Sequence, residues 1–569
     1  MTPRAMVLTC VGLFFLLAGY GMAGDRFGTP ELPVSGAGEA KKYQEAHPPK
    51  PPEPPVTGQQ SGPMFGKTAD HTKFEALKGP FANNFEVSAA CVGCHTEAEA
   101  QIKKTIHWTW DYISPRTGQR VGKENVINNF CTNAKNNEGM CASCHIGNGV
   151  REGEEYTFQK ESSVDCLVCH DRTAGYYRTP PTKGNAVCAT MFEGLPPIDY
   201  PHVAQNVGLP GRENCGSCHF FGGGGDGVKH GDLDTSLKNP PKELDVHMAT
   251  DGANFACTRC HVTKHHAIAG SHYEMVAHDE HGVGGPGELR QAATCESCHG
   301  TEPHPKPSLI GYQLDAHAAR IACQTCHIPE FARGGVATMT DWDWETAGKL
   351  LDGAGYYEEE YTQGNGEHRH TYWSIKGSFV WGENLTPTYK WFNGDMRYTM
   401  PTEQIDDSQP VVPINDVLGD ASDPGSRIWP FKEMHTRIPY DAGNKTLVYN
   451  HLWGDDDAAF WGNFDIAKSI EAGMEIEQRP FSGEIGFLPT VSNWPITHMV
   501  APKDAALDCS ACHARDSRLA KVAGVYMPGF SRFGWLETLG LAGLGLTLLG
   551  VVLHGGLRIA LRSNGKGEE

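Results

Sequence analysis

Two apolar runs stand at the ends of the chain. Met6 to Ala18 follows Arg4 and precedes the small residues Gly21, Ala23 and Gly24. A positive start, an apolar stretch and a small-residue cleavage site predict an export signal over residues 1–24. Cys10 interrupts this run, whereas a lipid-modified cysteine would follow it; an uncleaved N-terminal anchor is the alternative. At the other end, Leu539 to Leu553 carries no charge, and Trp535 sits at its edge. The 23 residues from Trp535 to Leu557 match the roughly 20 that cross a bilayer as a helix. Arg558, Arg562 and Lys566 follow, and basic residues stay on the cytoplasmic side. The pattern predicts a single transmembrane helix over 535–557, a cytoplasmic tail over 558–569, and the bulk of the chain in the periplasm. A buried core helix is the competing reading; the one-sided basic flank and the terminal position argue against it.

Between these runs the pattern is broken and short. Residues 25–65 include His47-Pro48-Pro49-Lys50-Pro51-Pro52-Glu53-Pro54-Pro55, an extended and semi-rigid linker. Glycine and proline elsewhere predict short helices joined by loops. Residues 331–500 are free of cysteine and rich in aromatics, among them Trp342, Trp344, Trp373, Trp381 and Trp391. Tyr372 to Trp391 mixes β-branched and aromatic residues with Gly377, Gly382 and Pro387, which predicts strands and turns in places. This segment is expected to pack on the rest of the protein rather than to stand as a domain of its own.

The formal net charge of −20 argues against nucleic acid, because phosphate binding needs clustered Lys and Arg. The cysteines change the picture far more. Sixteen of the 19 fall in eight C-x-x-C-H motifs. These are Cys91/Cys94/His95, Cys141/Cys144/His145, Cys166/Cys169/His170, Cys215/Cys218/His219, Cys257/Cys260/His261, Cys295/Cys298/His299, Cys323/Cys326/His327 and Cys509/Cys512/His513. The spacing is the attachment signature for haem c. Two thiols three positions apart on a helical turn reach the two vinyl groups of one porphyrin, and the next residue puts an imidazole under the iron. A zinc site or a thiol redox motif accounts for one isolated motif, not for eight with His at the same place. The chain is therefore read as a multihaem cytochrome c with eight haem c groups. Its fold class is mainly short α-helices and loops around a haem core, with little β and one C-terminal transmembrane helix. Residues 66–330 form a seven-haem domain, and residues 501–527 carry the eighth.

Each iron needs a sixth ligand or an open face. His107, His202, His247, His272, His304, His317 and His498 lie near the motifs and are the distal candidates, with His265 and His266 in reserve. Eight haems with two imidazoles each would make a wire without a catalytic iron. The segment from His219 through Gly222-Gly223-Gly224-Gly225-Asp226-Gly227-Val228-Lys229 stands apart. Its glycines let backbone approach a flat macrocycle, and Asp226 and Lys229 are spaced for one face of a turn.

Asn128-Asn129-Phe130-Cys131 ahead of the second motif, Val164 to Asp171 around the third, and the Gly-rich segment ending in Lys229 carry a resemblance. With the eight motifs, they make the chain resemble the octahaem tetrathionate reductases over roughly residues 85–515. That resemblance implies Lys229 as distal ligand of the haem on Cys141, Cys144 and His145, with Asn128, Cys131 and Asp226 lining the pocket. The linker and the C-terminal helix are departures from it. A lysine binds iron only as a neutral amine, so its pKa must fall well below the usual ~10.4. A Cys131 thiolate would attack the central S–S bond of tetrathionate, and two electrons would complete cleavage to two thiosulfates. A structural disulfide between Cys131 and Cys188 is the plainer reading.

The expected function is reduction of a small oxyanion: tetrathionate, nitrite or hydroxylamine. The alternatives are an electron conduit, and oxidation in the manner of hydroxylamine oxidoreductases. The membrane helix implies a cytochrome b or another quinol-oxidising subunit as partner, with His554 a candidate ligand to a b-haem.

Overall fold

The computed structural model describes residues 69–130, 132–150, 157–158, 163–178, 197–278, 292–454, 456–525 and 534–564. The export signal, the linker, Cys131 and Cys188 lie outside the described residues, as do residues 565–569 of the tail.

Seven of the eight motifs stand on short α-helical segments: α1 (Asn84–Cys94), α2 (Glu138–Cys141), α3 (Leu167–His170), α4 (Arg212–His219), α5 (Glu296–His299), α7 (Cys323–His327) and α9 (Cys509–Cys512). The fifth motif opens on a 3-10 turn, Cys257–Arg259. Three further helices are α6 (Leu309–Ala318), α8 (Ile466–Ile476) and the terminal α10 (Gly534–Asn564). Side chains cap the starts of two of the motif helices. Asn83 accepts from the Glu86 N–H at 3.1 Å ahead of α1, and Asp508 accepts from the Ala511 N–H at 3.0 Å ahead of α9. One turn suffices to put both thiols of a motif on one side.

Residues 338–495 build a nine-stranded sheet from β1 (Thr338–Asp343), β2 (Tyr357–Glu358), β3 (Tyr372–Trp373), β4 (Gly377–Gly382), β5 (Thr388–Phe392), β6 (Val412–Pro413), β7 (Arg427–Asp441), β8 (Thr446–Leu447) and β9 (Ile485–Pro495). The order is β6-β9-β7-β1-β4-β3-β2, with β5 and β8 also paired to β7. The axis is the antiparallel ladder of β7 and β9, from Phe431 opposite Pro495 to Asp441 opposite Ile485. β1 joins β7 in parallel, His435 opposite Asp341. The expectation of little β therefore does not describe this region. The strands seen at Tyr372 to Trp391 extend into a full sheet because β7 is buried along most of both faces, so it lacks the alternation that marks a half-exposed strand.

The sheet packs inward on Trp342, Trp344, Met434, Ile438, Phe460, Leu488 and Trp494. Trp342 and Trp344 stack with ring centres 5.1 Å apart. Truncating either would cost about 3–5 kcal/mol. The same cluster takes in Ile127, Phe130 and Val228. The sheet is thus the wall against which the Asn128–Phe130 segment and the Gly-rich loop are pressed.

The α10 helix contributes 28 residues, Gly534–Leu561, that are long and apolar enough to cross a membrane, and none of that stretch is buried.

Candidate functional site

Six motif histidines face a second imidazole at a common spacing. Ring centres lie 6.3 Å apart for His95 and His71, 6.4 Å for His170 and His266, and 6.1 Å for His219 and His107. They lie 6.3 Å apart for His261 and His498, 6.1 Å for His299 and His247, and 6.1 Å for His513 and His317. Two imidazoles bonded to one metal ion through bonds of roughly 2 Å set their ring centres roughly 6 Å apart. The residues therefore fit a haem iron held between two histidines. The outer nitrogens fit as well. Nδ1 of His170 meets the Gly208 carbonyl at 2.8 Å, and Nδ1 of His261 meets the Ala269 carbonyl at 2.8 Å. Such bonds orient a ring and leave Nε2 for a metal.

Of the candidates read from sequence, His107, His247, His317 and His498 each face a motif histidine. His304 lies within electrostatic reach of His327, and Asp315 holds its Nδ1 at 2.7 Å. His202 is exposed and meets Asn206, while His266 stands opposite His170. His71 was not singled out, because nothing near it in the chain marks a ligand. His272 goes elsewhere: its ring packs on Tyr273 at 4.1 Å and Trp494 at 5.7 Å. His265, the other reserve, is exposed with a left-handed backbone.

Attachment thiols of different motifs touch. Cys91 and Cys166, Cys144 and Cys218, Cys215 and Cys257, and Cys295 and Cys323 lie within hydrogen-bonding reach. Cys169 with Cys215, Cys260 with Cys298, and Cys326 with Cys512 lie within electrostatic reach. The motifs thus form a series, first, third, fourth, fifth, sixth, seventh, eighth, with the second branching at the fourth.

The second motif has its own surroundings. His145 packs among Trp108, Trp110 and Phe158, and here it is Nε2, the nitrogen that His170 and His261 leave for a metal, that meets a backbone carbonyl, that of Trp108 at 2.7 Å. Arg178 staples the motif from behind. Its guanidinium donates to the carbonyls of Ala142, His145 (2.6 Å) and Gly147 (2.8 Å) and to the carboxylate of Asp165 (3.2 Å). Asp165, in the Val164-Asp165-Cys166 run, thereby couples the second motif to the third through a buried ion pair.

Lys229 is half-buried, and its ammonium lies 4.4 Å from the centre of the Trp494 ring. Among the described residues no hydrogen bond or ion pair reaches that ammonium. Loss of hydration, with the nearby Lys123 charge second, pushes its pKa down to about 7. Trp494 also meets His230 at 5.4 Å, His272 at 5.7 Å and Phe130 at 5.9 Å. Burial and the Lys229 charge hold both histidines well below the usual imidazole range. Lys123 acts electrostatically on both Lys229 and Cys144, which links this pocket to the second motif.

The expectation that Asp226 and Lys229 share a turn face needs correction. Asp226 accepts from the Thr235 N–H at 2.9 Å and from the Thr235 hydroxyl, so its carboxylate turns to the loop that follows. Burial raises its pKa. Asn128 accepts from the Phe130 N–H at 2.8 Å and closes the turn leading to Cys131. Lys432, missed in the sequence because it sits within a strand, is fully buried. It donates to the carbonyls of Val228 (2.6 Å) and Lys229 (3.0 Å) and to the Thr338 hydroxyl (2.6 Å).

Comparison with known proteins gives three findings. Residues 339–516 match a family described as bacterial cytochrome c. An uncharacterized protein of Archaeoglobus fulgidus is 25% identical over 244 residues, which is 35% of this chain and 80% of the relative. The crystal structure of octaheme cytochrome c from Shewanella oneidensis is similar with a TM-score of 0.67 and 36% identity, over 80% of this chain and 97% of that one.

Proposed function

The chain belongs to the octahaem c-type cytochromes, and from that premise we propose a membrane-anchored terminal reductase of a small oxyanion, working at Lys229. It is a multihaem redox protein that binds haem c. When bound, haem c supplies reversible one-electron transfer and, where its sixth position is open or labile, a place for substrate. In this reading all eight motifs carry a haem. His71, His266, His107, His498, His247, His304 and His317 are the distal ligands for His95, His170, His219, His261, His299, His327 and His513. Lys229 serves the group on Cys141, Cys144 and His145.

The observation that carries the reading is the Lys229 amine under Trp494, with no acceptor among the described residues and a pKa near 7. Such a group is available both as a neutral ligand and as a proton donor at its Nζ. Phe130, the residue before Cys131 in the chain, meets the same Trp494. Cys131 is proposed as the nucleophile on tetrathionate, whose reduction by two electrons gives two thiosulfates. Asp226 is proposed to hold the loop through Thr235 rather than to touch Lys229. The α10 helix is proposed to anchor the protein with its bulk in the periplasm, beside a quinol-oxidising subunit of the cytochrome b kind.

The test is reductant-dependent turnover of the purified protein with tetrathionate, nitrite and hydroxylamine side by side. Lys229→Ala is expected to lose about a hundredfold with the true substrate. Unchanged turnover with all three removes Lys229 from the mechanism. The conduit reading is favoured by a different observation, the unbroken series of neighbouring attachment thiols. It predicts no turnover with any of the three.

A further inference from the structure

We infer that Lys376 forms a second anion subsite, across the Gly-rich loop from Lys229, for the far end of an extended inorganic dianion. The inference deepens the proposed oxyanion reduction and rests on it for the identity of the substrate.

Lys376 precedes β4 and is buried, 8% exposed. Its ammonium lies among three indoles, 5.7 Å from the Trp342 ring centre, 5.2 Å from Trp373 and 5.7 Å from Trp461. Among the described residues no hydrogen bond and no ion pair reaches it. Lys432 shows what a buried lysine in this fold has when its role is purely internal: three oxygens at 2.6–3.0 Å. Ring faces beyond 5 Å return only part of the hydration a buried ammonium gives up. An anion placed against Lys376 would supply the remainder.

The ammonium faces the Gly-rich loop. Gly224 is exposed and adopts φ +91°, and a Cβ built there would lie 3.4 Å from the Lys376 Nζ. Gly222, two residues earlier, has the same relation to the Lys229 stem, 3.4 Å from its Cδ. Two lysine side chains thus meet one short turn, Lys376 through its ammonium and Lys229 through its stem. In a chain of net charge −20, two basic groups around one turn run against the overall field and favour a substrate with negative charge at both ends. Tetrathionate has that shape. Nitrite carries one charge on a compact frame, and hydroxylamine is neutral, so each meets Lys229 alone. Lys376 would then act as a selector of long dianions over small ones.

The test uses the full-length holoprotein in detergent and two probes, tetrathionate and inorganic sulfate, by isothermal titration at fixed ionic strength. Lys376→Met should weaken tetrathionate binding by about tenfold or more, the loss of one charge-assisted contact, and raise KM with little change in kcat. Lys376→Arg should restore most of the affinity, and nitrite kinetics should not move. Sulfate should bind the Lys229→Ala protein and fail to bind Lys229→Ala/Lys376→Met. Circular dichroism confirms that each variant is folded, and Lys376→Gln replaces Met where it is not. Tetrathionate affinity within twofold of wild type in both Lys376→Met and Lys376→Gln would overturn the subsite and make Lys376 a caged structural residue. Wild type that turns over no oxyanion, yet binds sulfate through Lys376, would overturn the proposed function and leave the anion subsite standing.

Discussion

Replacing Lys432 by methionine tests whether the sheet holds the Gly-rich loop. The ammonium of Lys432 reaches from β7 to the Val228 carbonyl at 2.6 Å, the Lys229 carbonyl at 3.0 Å and the Thr338 hydroxyl at 2.6 Å. Thr338 in turn donates to the Gly227 carbonyl at 2.7 Å. Methionine fills the same volume but leaves two buried carbonyls without a donor. Each unmet buried group costs about 1–3 kcal/mol. Removing a buried ammonium, which is costly in itself, offsets part of that loss. The net expectation is a destabilisation of about 2–4 kcal/mol. Denaturant unfolding followed by far-ultraviolet circular dichroism measures it. Because the freed carbonyls flank Lys229, oxyanion turnover should fall as well in protein that remains folded. A loss below about 0.5 kcal/mol with normal turnover would refute the idea that this lysine clamps the loop.

Other substitutions separate further parts of the account. Burial raises the Glu138 pKa to about 7. The folded state therefore holds that proton more tightly than the unfolded chain, and stability is lost as pH climbs from about 4.5 to about 7, with little further change above. Glu138→Gln should stabilise the protein by roughly 1–2 kcal/mol at pH 8 and by almost nothing at pH 4.5, read from thermal melts across that range. His266→Ala should convert one low-spin haem to high spin in the electron paramagnetic resonance spectrum, while His202→Ala should leave the spectrum unchanged. Truncation after Arg532 should release the protein from membranes that resist alkaline carbonate extraction; full-length protein in the soluble fraction would contradict the anchor.

The parts legible in the sequence are those fixed by local chemistry. Two thioether bonds and an adjacent imidazole dictate C-x-x-C-H, so the motifs are readable without a structure. The Gly-rich loop is readable too, because backbone that approaches a flat group needs glycine, and Gly223 and Gly224 do adopt φ +84° and +91°. The distal partners are a tertiary matter. His498 faces His261 and His266 faces His170 only because the chain returns there, and a lone histidine carries no sign of its destination. Sequence proximity to a motif therefore drew attention to His202 and away from His71. The sheet escaped notice for a related reason. β7 contains Pro430, Lys432, Glu433 and Pro439, residues that read as loop, yet the ladder to β9 and burial on both faces hold it as one strand of 15 residues. Lys432 and Lys376 were invisible as a pair because their meaning lies in what surrounds each ammonium.

The central claim is that one haem differs from its neighbours because Lys229 stands over it. Electron paramagnetic resonance of the fully oxidised protein, wild type against Lys229→Ala, tests it most directly. The account predicts one amine–imidazole low-spin signal that vanishes in the variant, while the imidazole-pair signals persist. Identical spectra, with every haem ligated by two imidazoles in both proteins, would contradict it.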